Sequence, residues 1–388
     1  MEINFLSSES FRNLAPSRLE FHPRLNLVVG SNGQGKTNLL EAIALVSGRA
    51  SFRTNELENV RLKGSASTVL SARVRTTHDG ENEPTETTLG LFLREGAREH
   101  YRDGKKISRL AASRLLPAVF LSAADLTRFG GPPSERRRAL DRAALLLNGE
   151  HASHIQRYEK ARASKSRLLS LKNRFDADEL AVYEGTMIEF GGLIAAERRR
   201  AAARLEPELS RNARALASPF EDLRLELRSD LAGETAEELS ASLRTLLHTR
   251  KSEERRAGRC LVGPHRDDLI LTSQSSPVVE QASSGENRTL LLAWTLAEMT
   301  LVREALGKTP ILAFDDFDSE WDPQVLTFFA DALPEDGQLF LTSARPEAVR
   351  GLPFPSGGIY RMQAGRLARE GILGAGRTRE SVYARSTP

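Results

Sequence analysis

Gly30-Ser31-Asn32-Gly33-Gln34-Gly35-Lys36-Thr37 has the spacing GxxxxGK[ST], in which glycines lead to a cation and a hydroxyl. Glycine lets a backbone turn tightly enough for successive N–H groups to face one anion, and the start of a following helix adds the positive end of its dipole. Lys36 brings a mobile charge and Thr37 a hydroxyl ligand for Mg²⁺, so the chemistry indicated is capture of the β- and γ-phosphates of a nucleotide. A second candidate is Ile311-Leu312-Ala313-Phe314-Asp315-Asp316, an apolar run ending in two carboxylates. A strand placed beside the one that enters the glycine loop would let Asp315 orient Mg²⁺ through water and Asp316 polarise the attacking water. Apolar strands with acidic ends are common, and the glycine loop gives this one its weight. Asp318, Ser319, Glu320 and Asp322 follow as an acidic loop that a solvated turn and helix N-cap would also explain.

The third candidate, Ser283-Ser284-Gly285-Glu286-Asn287-Arg288, precedes a long apolar run with helical spacing. A hydroxyl and N–H groups at a helix start suit an anion, with about 0.3 to 1 kcal/mol per charge from the dipole. An ordinary N-cap has the same composition. Because a phosphate loop with its own lysine and metal hydroxyl already exists, a second phosphate site without either points to the nucleotide of another copy of the chain.

Basic residues are the other source of phosphate chemistry. Arginine makes up 46 of the 55 basic residues in a chain of net charge +3, and its planar fork engages phosphate oxygens through two donors. A high-GC genome produces the same bias. Arg136, Arg137 and Arg138 open one helical stretch, Arg198, Arg199 and Arg200 lie in another, and Lys251, Arg255, Arg256 and Arg259 form a third cluster. Consecutive arginines on a helix point in different directions, so part of each trio is solvated. No aromatic residues interleave with them, which favours duplex backbone over a stacking platform for single strands. His265, Asp267 and Asp268 lie close together, but their spacing fits no standard metal-ligand pattern and reads as a structural or nucleotide-coupled turn. The single cysteine, Cys260, excludes an internal disulfide and reads as a small buried residue.

These groups need a scaffold. In the 388 residues, 40% hydrophobic and 28% charged, no run reaches the roughly 18 to 20 apolar residues of a spanning helix, and the first residues lack a signal-peptide pattern. The expectation is a cytoplasmic globular protein without a membrane partner. INFLS, RLNLVVG, TVLSARVR, TTLGLFLREG and PAVFLS read as strands, with Asp103-Gly104 as a hairpin turn. After a helical stretch, strand–helix alternation resumes with DLILTS, PILAFDD, GQLFLTS and GIYRMQAG, arguing for a largely parallel sheet flanked by helices. The expected organisation is an α/β head interrupted by a mainly α-helical second lobe: head halves 1–133 and 261–374, lobe 134–260, and a disordered tail 375–388. An excursion of about 125 residues reaches at most roughly 90 Å as a helical hairpin.

The three candidates in this order resemble the ATP-binding-cassette heads of the SMC-like class. The longer stretches FRNLAPSRLEFHPRLNLVVGSNGQGKTNLLEAIALVSGRASFRT, FLSAADLTRFGGPPSERRRALDR, LVGPHRDDL, SSGENR and FDDFDSEWD are similar to the RecF family of bacterial DNA-repair proteins. The resemblance runs to about residue 370, and GGPPSERRRALDR and LVGPHRDDL are its most particular segments. It implies an ABC-type ATPase head in which Lys36 and Thr37 are the Walker A pair and Asp315 and Asp316 the Walker B carboxylates. Gly30 through Thr37, with Asn38, would hold ATP and Mg²⁺. Ser283, with Ser284 and Gly285, would be the signature, Ser319 to Asp322 the D-loop, and Thr342-Ser343 a switch after the last core strand. It further implies an ATP-dependent homodimer on duplex and gapped DNA, working with RecO and RecR and indirectly with RecA and SSB.

The chain departs from that family at Ser284 and Glu286, where glutamine is usual, and at Trp321, where leucine is usual. These positions bear on hydrolysis and on how two heads pack. Among rival readings, a transporter-type ATPase subunit needs its signature about a hundred residues after the glycine loop, whereas Ser283 lies 247 residues beyond Lys36. A long-armed tether needs sustained heptads that the insertion lacks. A DNA scaffold that binds nucleotide without hydrolysing it stays open beside the ATPase.

Overall fold

The computed structural model describes residues 1–54, 56–76, 84–122, 125, 129–171, 177–220, 222–317, 322–345 and 354–374. The tail expected to be disordered, 375–388, lies outside them. In chain order the strands are β1 (Glu2–Glu9), β2 (Ser17–Glu20), β3 (Leu25–Val29), β4 (Ser67–Thr76), β5 (Thr85–Arg94), β6 (Ala97–Arg102), β7 (Lys105–Ile107), β8 (Ala118–Leu121), β9 (Arg224–Arg228), β10 (Asp268–Ser273), β11 (Ser276–Pro277), β12 (Ile311–Phe314), β13 (Leu339–Ser343), β14 (Gly357–Gln363) and β15 (Arg366–Leu373). The helices are α1 (Lys36–Val46), α2 (Arg109–Leu115), α3 (Pro133–Leu147), α4 (His151–Ser170), α5 (Ala177–Ala215), α6 (Ala236–Thr249), α7 (Lys251–Ala257), α8 (Ser284–Leu306) and α9 (Pro323–Ala332). Two compact units result: Met1–Leu126 with Ala215–Ser218 and the chain from Ser283 onward, and Thr127–Arg214 with Pro219–Ala282.

The first unit has two sheets rather than one. β2-β1-β4-β5-β6-β7 is antiparallel throughout, and β15-β14-β3-β13-β12-β8 is parallel except for the β14–β15 hairpin. Of the strands expected in the first third, only β3 and β8 join those of the last third. Burial patterns explain the sorting. Every residue of β3, β12 and β13 is buried, as in a strand covered on both faces, whereas β4 buries alternate residues. α1 is enclosed by both sheets: Leu39, Ile43 and Val46 share one core with Ile3, Leu70 and Leu91 of the antiparallel sheet and with Val28 and Phe340 of the parallel one. Each such side chain contributes about 1.5 to 3 kcal/mol through burial.

The carboxyl end of α1 is closed by Arg98. Its guanidinium donates to the carbonyls of Leu45 at 3.2 Å and Arg49 at 2.7 Å, and its Nε donates to His100 Nε2 at 3.1 Å. Burial, then the cations Arg98 and Arg109, push His100 down to about 4. Asp103 and Gly104 take φ of 49° and 77°, the left-handed pair that a two-residue hairpin between β6 and β7 requires.

The second unit contains α3 to α7 and a small antiparallel sheet, β11-β10-β9. This corrects the placement of DLILTS, expected where the head resumes at 261: β10 has β9 on one side and β11 on the other, so both its edges are satisfied here. The turn from Gly263 to Asp268 ties the unit together. His265 Nδ1 lies 2.7 Å from the Tyr158 hydroxyl of α4, and Arg136 of α3 grips Asp268 with two bonds of 2.7 and 2.8 Å. Arg198 of α5, 5% exposed, donates to the Pro264 carbonyl, to Asp267 at 3.0 Å and twice to Asp141. Burial raises the Asp141 carboxyl, but Arg198 and His151 outweigh it and hold the group at about 2. Removing one partner of such a buried pair costs about 3 to 5 kcal/mol. Cys260 is buried, and burial pushes its thiol up.

Burial, followed by the cation of Arg162, lowers His265 to about 3, so both His265 and His100 are neutral in the fold and charge only on unfolding. Their contribution is complete above about pH 6.5 and is lost as pH falls toward 4 and 3, at up to about 1.4 kcal/mol per pH unit for each histidine. Asp141, held low, adds to the same trend only below about pH 5, where its unfolded carboxyl begins to take up a proton. Urea unfolding should therefore shift to lower midpoints between pH 6.5 and 4, and His265→Gln should flatten the shift. An unchanged slope in the variant would show that another group takes up the proton.

Candidate nucleotide-binding site

The glycine loop connects β3 to α1, and its last residue, Gly35, caps the helix at φ 117° without any side-chain cap. The first turn of α1 thus presents N–H groups that no capping side chain occupies, the arrangement that receives an anion. Lys36 is 4% exposed and folds back on the loop, its Nζ donating to the carbonyls of Gly30 at 2.7 Å and Ser31 at 3.3 Å. Ser31, Asn32 and Gly33 are exposed.

Thr37 Oγ1 donates to Asp315 Oδ1 at 3.1 Å. The two motifs therefore meet, but not by the expected route. β12 is not beside β3: β13 lies between them. Val28 pairs with Thr342 and Phe314 with Leu341, so Asp315 leaves its strand alongside Thr342. Thr342 spans the interval. Its Oγ1 donates to Asp315 Oδ1 at 2.7 Å and accepts from the Asp316 N–H at 2.8 Å. Asp316 itself sits at φ 50°, a left-handed conformation that this bond helps to hold. Thr342 and Ser343 are fully buried and end β13, so they lie inside a central strand and not after the last one.

A hydroxyl and a carboxylate in contact form the hard-oxygen pair that suits Mg²⁺, with water and phosphate oxygens completing its shell. Among the described residues no group of three or more His, Cys, Asp or Glu side chains could hold a metal alone, and His265, Asp267 and Asp268 are spent on the internal bonds above. Thr37 and Asp315 would hold Mg²⁺, which would supply neutralisation of phosphate charge. Lys36 and the α1 N-terminus would hold the phosphates themselves.

Sequence reading missed what supports the loop. Asn13 Nδ2 donates to the Gly33 carbonyl at 3.2 Å, and Asn38 Nδ2 donates to Asn13 Oδ1 at 2.6 Å. Asn38 also accepts from Arg53, so its side chain braces the loop through both ends of its amide. Arg12 forms two 2.8 Å bonds to the fully buried Glu41 of α1. Across the sheet, the β14–β15 turn is stitched to Gln34: Ala364 N–H donates to its side-chain oxygen at 2.7 Å and Gly365 N–H to its carbonyl at 2.9 Å. Gly365 has φ 77°, and a Cβ there would fall 1.8 Å from the Asn13 carbonyl oxygen. Arg12-Asn13 before a strand and Ala364-Gly365 between strands were the available signals, and each looks like an ordinary turn.

Ser283 is the N-cap of α8, with Ser284 and Gly285 in the first turn. Its Oγ accepts from Glu286 N–H at 3.3 Å, and Glu286 accepts from Ser283 N–H at 2.6 Å. Glu286 thus closes a capping box, and the hydroxyl and N–H of Ser283 lower its carboxyl below the usual range. Ser319, Glu320 and Trp321 lie outside the described residues.

The arginine clusters divide. Arg136 and Arg198 are consumed by Asp268, Asp141 and Asp267, and Arg137 donates to the Asp267 carbonyl at 2.6 Å. The expected role of Arg136 and Arg198 on DNA is corrected accordingly, because both guanidinium groups are committed inside the second unit through all three nitrogens, whereas Arg137 spends one donor. Arg199 donates to the Leu231 carbonyl, whereas Arg138 remains half-exposed beside Glu135 and Arg255 and Arg256 are exposed.

Residues 2–363 match the family model described as the RecF/RecN/SMC N-terminal domain. The DNA replication and repair protein RecF of Symbiobacterium thermophilum is 34% identical over 370 residues, 94% of this chain and 97% of that one. This chain belongs to the RecF family. RecF of Deinococcus radiodurans is 33% identical over 372 residues, 94% of this chain and 95% of that protein. A solved structure of the recombination mediator protein RecF with ATP, in the RecFOR pathway, superposes with a TM-score of 0.83 at 24% identity over 95% of this chain and 98% of that one. An Smc head bound to the C-terminal winged-helix domain of ScpA reaches 0.54 at 17% identity over 96% of this chain and 98% of that one. The fold is the α/β head of the SMC-like ABC ATPases, with the P-loop sheet at its centre.

Two substitutions test how this RecF-family site is held. Thr342→Val keeps the shape but removes both bonds to the carboxylate strand, so ATP turnover should fall at least tenfold while binding of a fluorescent ATP analogue changes less than threefold. Equal losses in both would make Thr342 a scaffold residue. Gly365→Ala drives a methyl group into the Asn13 carbonyl and should weaken analogue binding about tenfold; wild-type affinity would mean that the hairpin turn does not set the loop.

Proposed function

We propose that this chain is an ATP-dependent DNA-binding protein of recombinational gap repair. ATP with Mg²⁺ binds at Lys36, Thr37 and Asp315 of one copy, Ser283 of a second copy caps it, and the closed homodimer holds duplex DNA near a single-strand gap. Asp316 polarises the attacking water, and slow, DNA-stimulated hydrolysis reopens the pair. In the same reading it acts in the cytoplasm with RecO and RecR and promotes loading of RecA onto strands coated by SSB. The observation that supports it is the Thr37–Asp315–Thr342 contact, which brings two hydroxyls and a carboxylate together, with Asp316 next in the chain, at the uncapped start of α1. The names of the relatives, DNA replication and repair protein RecF, support the pathway. Among the described residues no helix is long and apolar enough to cross a membrane.

Ser283 is already used in capping its own helix, and this favours a second reading, a nucleotide-binding DNA scaffold with little or no hydrolysis. The readings separate by light scattering and phosphate release with Mg²⁺ and ATP, ADP or no nucleotide. Under the first, ATP doubles the molar mass of the wild type, Ser283→Arg stays monomeric while still binding nucleotide, and duplex DNA raises phosphate release. A mass indifferent to ATP, or a variant that dimerises normally, would leave Ser283 as a helix cap only.

A further inference from the structure

Glu41 is the one carboxylate on α1, and it is fully buried in a helix that both sheets enclose. A carboxylate is costly in such a place unless it is paired, and this one is held by two donors. Arg12 donates through Nε to Oε2 and through Nη2 to Oε1, both at 2.8 Å, and Ser51 Oγ donates to Oε1. Each donor is the root of a separate stretch of chain. Arg12 sits at φ 48°, with its N–H on the Val60 carbonyl at 2.9 Å, and Asn13 follows it directly. Ser51 Oγ accepts from the N–H groups of Arg53 at 3.1 Å and Thr54 at 3.0 Å, which curls that segment into a turn from which Arg53 reaches Asn38.

The two stretches meet again at the glycine loop. Arg53 donates to one end of the Asn38 amide, the other end donates to Asn13, and Asn13 donates to the Gly33 carbonyl. Glu41, Arg12, Asn13, Asn38, Arg53 and Ser51 therefore close a ring of bonds, with Gly33 hung from it at Asn13. Because the carbonyl and the N–H of a trans peptide point in opposite directions, holding the Gly33 carbonyl also orients the Gln34 N–H. A leucine at this position would fill the core, and replacing a buried ion pair by apolar side chains of similar volume is often neutral for stability. Packing thus gives no reason for a charge here, whereas the ring does. We infer that Glu41 is a positioning residue for the phosphate loop: one buried carboxylate anchors both segments that fix the Gly33–Gln34 peptide. The inference rests on the nucleotide-binding reading and deepens it by naming what sets the loop.

The pair can be replaced without leaving a charge behind. Arg12→Met/Glu41→Leu should melt at or above the wild-type temperature, yet bind a fluorescent ATP analogue about tenfold more weakly. Turnover at saturating ATP should stay within about threefold of wild type, because Thr37, Asp315 and Thr342 are untouched. Wild-type melting together with wild-type affinity would reduce the pair to packing and overturn the inference. If the double variant does not fold, Glu41→Gln and Asn13→Ala decide. Each should weaken analogue binding about tenfold alone, and the two together should also weaken it about tenfold, since both cut the same ring. Losses that multiply to about a hundredfold would show that Asn13 holds the loop independently of Glu41, again overturning the inference but leaving nucleotide binding intact. A wild type that does not bind the analogue at all overturns the nucleotide reading, and this role with it.

Discussion

A helix whose first turn must face an anion cannot satisfy that turn by itself, and α1 solves the problem by being held everywhere else. Its flanks are packed against both sheets, its carboxyl end is closed by Arg98 and its middle is locked by Arg12 on Glu41. What remains open is the end at Gly35, where the dipole and the N–H groups are left for a ligand. The antiparallel sheet, which holds none of the nucleotide-site residues, is explained by this need: without it one flank of α1 would be bare.

The second constraint is that the hydroxyl of Thr37 and the carboxylate of Asp315 are delivered by β3, through the loop into α1, and by β12, strands that do not touch. An intervening strand normally separates such groups, but here its residue at the right register is a threonine, which both donates and accepts. Thr342 turns the separation into a relay from Asp316 N–H through its hydroxyl to Asp315. Valine is nearly the same shape and would fill the same space, so the polarity of the site depends on one oxygen atom in an otherwise apolar strand.

Much of this was legible in the sequence, and the exceptions have a common cause. The glycine loop, the acidic strand end and the helix start at Ser283 are local patterns, and each was found where spacing placed it. Their supports are not local: Asn13 and Gly365 gain their roles from partners tens to hundreds of residues away, and nothing near them in the chain marks it, while Thr342 was singled out only by resemblance and its bonds to Asp315 and Asp316 were not foreseen. Strand order failed for the same reason, since the alternation of strands and helices cannot say whether β12 or β13 is next to β3. Arginine composition misled in a different way. Arg136 and Arg198 look like surface cations in a helical pattern, yet the carboxylates of a turn distant in sequence draw them inside.

β3 has a further consequence that concerns synthesis. It is apolar along its whole length but for Asn26, and both of its neighbours, β13 and β14, are made roughly 300 residues later. At ribosomal rates of 5 to 20 residues per second, that leaves about 15 to 60 s in which two unpaired edges of a sticky strand exist without their partners. The nascent amino-terminal portion therefore cannot complete its sheet, and the glycine loop cannot be stitched to the β14–β15 turn, until that turn has been made. Products truncated before β13 thus carry an unpaired apolar strand, an aggregation hazard as well as an incomplete site.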